Sequence, residues 1–249
     1  MDGLLGKLPP VHDTRTPQLA DYLHGNLPSA PPVTVRAEIA HPAFQMFGND
    51  RLGDCTCAGM GNAVAFWTAL SGQPDAVTTG DVITAYEAVS GYDPATGDND
   101  NGANELDVLK YWATVGVGGH KIAGYAAIDL GSQPLVESAV YVFDGAYIGV
   151  ALPATAQGQD VWDVVPGAGS AAFPGSWGGH CVFVVDYDAA GVFVVTWGAV
   201  KQMTWAFWDA YVDEAYAVIS DDALNATSDE TAEGYDVDQL RTDLHYLHA

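Results

Sequence analysis

Basic residues are scarce in this chain. Eight Lys and Arg stand against 32 Asp and Glu, a formal net charge of −24. Such a surface repels phosphate backbones, which excludes nucleic acid as a partner. Cysteine is scarcer still: three residues, two of them separated by a single position, cannot make a disulfide framework. No apolar run approaches the ~18 residues that cross a bilayer. The opening residues, Met1 to Lys7, lack a basic stretch followed by a long apolar core, so the expectation is no signal peptide and a chain that is cytoplasmic when made. No internal repeat is visible either. The acidic balance leaves three explanations open: high solubility, a basic partner, or a salt-rich setting.

What is present is a globular composition. With 249 residues, 49% of them hydrophobic, the chain can bury a full core as one large domain or two small lobes. Residues 1–48 hold seven of the thirteen prolines and little periodicity. They read as an extended arm, with a short helix near Pro17–His24, lying on the body of the protein or on a partner. Helices follow within 49–145. One begins at Cys55 and ends near Ser71-Gly72; a second spans Asp81–Ser90, capped by Thr79 or Asp81. A third, Glu105–Val115, places Leu106, Leu109, Trp112 and Ala113 on one stripe. Lys121–Asp129 reads as extended, and Gln133–Phe143 as a helix with Pro134 in its first turn. Strands dominate 146–220: Ala146–Leu152, Cys181–Tyr187, Val192–Trp197 and Ala215–Ile219, with a helix over Thr204–Val212. Residues 221–249 form an acidic tail with a short helix at Val237–Leu247. Helices first and strands second imply an α+β fold of two lobes.

The chemistry centres on Gly48-Asn49-Asp50-Arg51-Leu52-Gly53-Asp54-Cys55-Thr56-Cys57. A polar, glycine-rich loop runs into a helix of small residues, and Asp54 is a good N-cap. Cys55 then sits in the first turn, facing unpaired N–H groups and the positive end of the helix dipole, both of which favour a nucleophilic thiolate. Such a thiol needs a histidine. Gly178-Gly179-His180-Cys181-Val182 supplies one at the start of a strand. Zinc is disfavoured, because residues 180 and 181 project to opposite faces of a strand. Asp98 to Gly102 looks like a calcium loop, but its glycine is out of register for one, and a solvated loop is the better reading. No metal or other cofactor is expected.

These stretches resemble the papain-like cysteine peptidases. Asn49 stands six residues before Cys55, where that family carries the glutamine of its oxyanion site. Asp100-Asn101-Gly102-Ala103 is similar to the family's cleft-lining Cys-Asn-Gly-Gly, and His180-Cys181-Val182 to its His-Ala-Val strand. Trp197-Gly198 stand where its Asn-Ser-Trp-Gly ends. The resemblance covers roughly residues 49–219 and is nearest to the disulfide-free versions coded by tailed phages and some bacteria. It implies a two-lobe papain-like fold, a helical lobe with a central Cys-bearing helix plus an antiparallel β lobe. It implies Cys55 as nucleophile, His180 as general base and Asn49 with the Cys55 N–H as oxyanion donors, with Asp54, Asn101, Gly102, Ala103 and Trp197 along the substrate cleft.

The chain also departs from the pattern. The family's third catalytic residue falls on Val195, which cannot bond an imidazole. Thr196 is expected on the opposite face, and Gln202 could substitute only if its loop folds back. Leu52 and Asp100 replace both partners of a common family disulfide, which fits a reducing setting. Two functions follow. One is a thiol hydrolase cleaving peptide or isopeptide bonds, phage- or virion-associated. The alternative is a papain-fold structural or interaction protein of a virion with a degenerate site. Partners are a peptide or protein substrate, and other virion proteins through the arm.

Overall fold

The computed structural model describes residues 3–23, 32–34, 42–74 and 77–221; the sequence-expected helix at Val237–Leu247 lies outside them. A short helix α1 (Leu19–Tyr22) interrupts the arm, and α2 (Cys55–Leu70) is the centre of the molecule. Nearly every residue of α2 is buried, so it is apolar on all sides rather than amphipathic. Its glycines let neighbours close in. A Cβ at Gly61 would sit 2.8 Å from Val82, and one at Gly59 3.2 Å from the Tyr147 ring, so the helix is clasped between α3 (Thr79–Ser90) and the sheet. Thr78 rather than Thr79 or Asp81 is the N-cap of α3. It forms a capping box with Asp81, and Gly91 closes the helix at φ +76°. Helix α4 (Glu105–Thr114) buries the expected Leu106, Leu109 and Trp112. Its Trp112 ring stacks on Trp67 of α2 with centroids 5.4 Å apart.

The sheet has seven strands: β1 (Ile122–Ala127), β2 (Ala146–Leu152), β3 (Val161–Trp162), β4 (Gly178–Tyr187), β5 (Gly191–Thr196), β6 (Ala199–Thr204) and β7 (Val212–Ser220). Their spatial order is β1-β7-β2-β4-β5-β6-β3, antiparallel except where β3 meets β6. Two further helices, α5 (Gln133–Val142) and α6 (Trp205–Tyr211), pack on it. This is an α+β arrangement, with β4 at the centre of the sheet and against α2. β3 and β6 are not apparent in the sequence: β3 has two residues, and β6 is a largely exposed, polar strand without strict alternation. No helix among the described residues is long and apolar enough to cross a membrane.

The described parts of the arm lie on the body. The Ala127 N–H donates to the Pro17 carbonyl at 2.8 Å, and Tyr187 Oη donates to the Pro32 carbonyl at 2.7 Å. Residues 3–9 go further and form a strap between helical and sheet elements. The Leu4 N–H donates to Asn49 O (2.7 Å), Lys7 N–H to Gly179 O (3.1 Å) and Leu8 N–H to Ala103 O (3.0 Å). Ala103 N–H in return donates to Gly6 O (2.9 Å). Lys7 and Ala103 thus form a parallel β-bridge.

Candidate functional site

Cys55 opens α2, as its position after Asp54 implies, but the Asp54 side chain caps nothing. Its carboxylate turns toward the Gly48 turn, where a Cβ on Gly48 would meet Oδ2 at 2.9 Å. Both of its oxygens are buried without a hydrogen-bond partner. Burial pushes this carboxyl up to about 8, so it is mostly protonated at neutral pH. The expected cap is corrected, and the reason is local: with ψ at 19° Asp54 lacks the extended backbone of a capping residue. Asn49 is buried, its amide donates to the Leu52 carbonyl at 3.0 Å, and the amide also lies beside the Asp54 carboxyl, whose rise it opposes.

Cys55 and His180 line one small cavity with Asn49, Asn62, Thr196 and Trp197. Its volume, about 10 Å³, is at the lower limit for one water molecule. Two features fix the imidazole. Trp197, held at φ +47°, lays its ring on that of His180 with centroids 4.6 Å apart and planes at 21°. His180 Nε2 lies 2.8 Å from Thr196 Oγ1, while Nδ1 is buried with no hydrogen-bond partner. Thr196 therefore reaches the histidine, contrary to the face expected from the sequence. The register explains this. Phe183 pairs with Val195, and the shift in the β4–β5 ladder lies beyond that pair, between Val184 and Asp186. Thr196 thus falls opposite Val182, which shares a face with His180, and Val195 falls on the other face. Gln202 stays in β6, paired with Phe193 and Val161, and plays no part.

The strap lies over the Cys55 thiol and against Trp197, beside this cavity rather than lining it. Gly6 lies against the backbone of Gly53 and Gly102, so closely that a Cβ on Gly6 would overlap Gly53 and one on Gly102 would overlap Gly6. Gly3 is equally close to the Trp197 ring. Of the expected cleft residues, Gly102 and Ala103 border the strap, Asn101 beside them is exposed, and Trp197 touches both strap and imidazole. Asp100 replaces a covalent tie with a polar one, accepting from Gly53 N–H (2.9 Å) and Tyr86 Oη (2.6 Å). Thr196 and Trp197 also border a wider groove of about 520 Å³, lined by Met46, Asp50, Asp160 and Lys201.

Enclosure sets the protonation states. Burial lifts the Cys55 thiol to about 12, opposed by the N–H groups of Cys181 and Gly6 and reinforced by the charges of Asp54 and Glu105. Burial alone lowers His180 to about 3. Beneath the strap both groups are neutral. The helix-terminus argument for a thiolate is overridden here by desolvation. Cys57 and Cys181 are also free and buried, with thiols raised by burial.

Solved structures share this architecture. The chain is similar to xylellain, a cysteine protease from Xylella fastidiosa, with a TM-score of 0.64 at 15% identity over 88% of this chain and 96% of that one. It is similar to the digestive procathepsin L 3 of Tenebrio molitor larval midgut (TM-score 0.54, 13% identity, 88% and 75% covered). It is similar too to the Carica candamarcensis cysteine protease CMS1MS2 (0.51, 15%, 76% and 98%). The fold is papain-like. No family model and no curated protein matches the sequence.

Proposed function

We propose that the protein is a papain-like thiol hydrolase acting on peptide or isopeptide bonds, with Cys55 as nucleophile, His180 as general base and Thr196 positioning the imidazole. The observation that carries this reading is the shared cavity of Cys55 and His180, with one ring nitrogen bonded to Thr196 and the other free. With Nε2–H donating to Thr196, the lone pair resides on Nδ1, ready for the thiol proton. Sulfur then attacks the scissile carbonyl, the carbonyl oxygen gathers charge near the Cys55 N–H and the Asn49 amide, and imidazolium returns the proton to the leaving amine. Water repeats the cycle on the thioester.

The strap is not presented as a substrate. Its Gly6 carbonyl oxygen is engaged by the Ala103 N–H rather than by the Asn49 side chain. Residues 3–9 therefore act as a cover that the enzyme must shed. The test is hydrolysis of a mixed peptide library by the full chain carrying Gly6→Ala, with Cys55→Ala added as control. Cleavage that disappears with Cys55 supports the reading; its absence at all pH values from 5 to 9 refutes it.

A second reading keeps the fold without the chemistry: a structural or interaction protein, carried in a virion in keeping with the phage-like resemblance. The filled cleft favours it. Under that reading the Gly6→Ala chain cleaves nothing and the protein co-purifies with particles.

A further inference from the structure

Lys7 follows Gly6 along the strap, and its side chain runs inward rather than into solvent, where it is 1% exposed. Its Nζ lies 2.9 Å from Asp213 Oδ1 and 3.0 Å from Glu214 Oε1, and donates to the Leu8 carbonyl at 3.2 Å. The third acid of the pocket is Glu105, the first residue of α4, fully buried beside the Cys181 thiol and close enough to Lys7 for its charge to act on the ammonium. Tyr216 Oη holds the other Glu214 oxygen at 3.0 Å. Room for the lysine stem comes from Gly149 of β2, where a Cβ would overlap Lys7 Cε and crowd Glu214. Burial by itself would weaken the ammonium's hold on its proton. The carboxylates of Glu105, Glu214 and Asp213 together outweigh it and hold Lys7 at about 12.

The body thus brings three carboxylates together from α4 and β7 and supplies no cation of its own within bonding range among the described residues; the cation arrives on the strap. Burial, with repulsion among the acids, raises the Glu105 and Glu214 carboxyls, so without a cation the pocket takes up protons rather than holding three charges. The pocket lies one residue along the strap from Gly6, whose N–H faces the Cys55 sulfur. We propose that it is a subsite selective for a basic side chain, lysine or arginine, of a peptide lying in the groove the strap occupies, with Lys7 as the built-in occupant. A guanidinium offers five donors to these acids where an ammonium offers three. The proposal rests on the hydrolase reading only in taking that peptide to be a substrate.

The test uses the full chain carrying Gly6→Ala, which sheds the strap, together with Lys7→Ala; Lys7→Met, which keeps the aliphatic stem, takes the place of Lys7→Ala if the first variant fails to fold. The octapeptide of residues 3–10 is added with lysine, arginine or norleucine at its fifth position, and the rate of Cys55 alkylation by iodoacetamide is followed. Protection by the lysine and arginine peptides at concentrations at least tenfold below the norleucine peptide is expected, as is a much smaller ratio when Glu214→Gln is added. Equal protection by all three, or none at millimolar peptide, overturns the subsite and makes Lys7 a fixed structural ion pair. Cleavage is scored separately on a peptide library. Selective protection without cleavage keeps the subsite and sinks the hydrolase; cleavage indifferent to basic residues does the reverse.

Discussion

At the scale of the residue, Thr196 is the smallest handle on the site. Thr196→Ala deletes the hydrogen bond seen at the His180 imidazole, and about 1 kcal/mol of stability should go with it by urea denaturation, with Thr196→Ser restoring most of it. In an uncovered chain the alanine variant should also lower kcat by ten-fold or more with KM little changed, a split that a purely structural role would not produce. Asp54 gives a pH signature. Its folded-state pKa, about 8, is raised above the ordinary ~3.9, so the folded form keeps a proton that the unfolded chain has lost. Stability therefore falls as pH rises from ~4 to ~8, at no more than about 1.4 kcal/mol per unit. Asp54→Asn should flatten that slope and exceed the wild type most above pH 8, as read from urea melts at pH 5, 7 and 9. Cys55, His180, Gly102 and Trp197 were legible in the sequence because short motifs surround them. Thr196 was not, since its facing depends on where the β4–β5 ladder shifts. Lys7, Glu105 and Glu214 were not either, because only the tertiary fold brings such distant positions to one pocket.

At the scale of the element, α4 was readable to within a residue from its apolar stripe, while α3 began two residues earlier than expected, at a cap on Thr78. The short and polar strands β3 and β6 carried no periodic signal. The arm was readable as extended from its prolines, yet its target was not. Main-chain hydrogen bonds from Leu4, Lys7 and Leu8 dock it, and backbone contacts are silent in side-chain pattern. Gly6 is the exception that identifies the strap: only a residue without Cβ fits against Gly53. Gly6→Ala should release residues 3–9. Hydrogen exchange at the Lys7 and Leu8 amides should then rise at least a hundredfold, while amides in α2 and β4 stay protected.

At the scale of the whole molecule, the charge of −24 and the acidic pocket act in the same direction. An acidic body draws basic peptides from a distance, and salt screens that attraction. Association of the lysine octapeptide with the chain carrying Gly6→Ala and Lys7→Ala should slow by ten-fold or more between 0.05 and 0.5 M NaCl, measured by stopped-flow, while the norleucine peptide changes little. The fold itself couples these features. The strap bridges Asn49 and Ala103 to Gly179 of β4, lies over Cys55 and anchors in the acid pocket.

The decisive experiment is the pH profile of Cys55 alkylation by iodoacetamide, from pH 4 to 9, mapped by mass spectrometry. It compares the full chain with its Gly6→Ala variant, with and without His180→Ala. In the wild type Cys55 should react slowly throughout, as a covered neutral thiol does. In Gly6→Ala it should react rapidly below pH 7, with Cys57 and Cys181 silent, and His180→Ala should abolish that low-pH limb. A Cys55 that, once uncovered, reacts no faster than an ordinary thiol whether or not His180 is present would contradict the proposed pair.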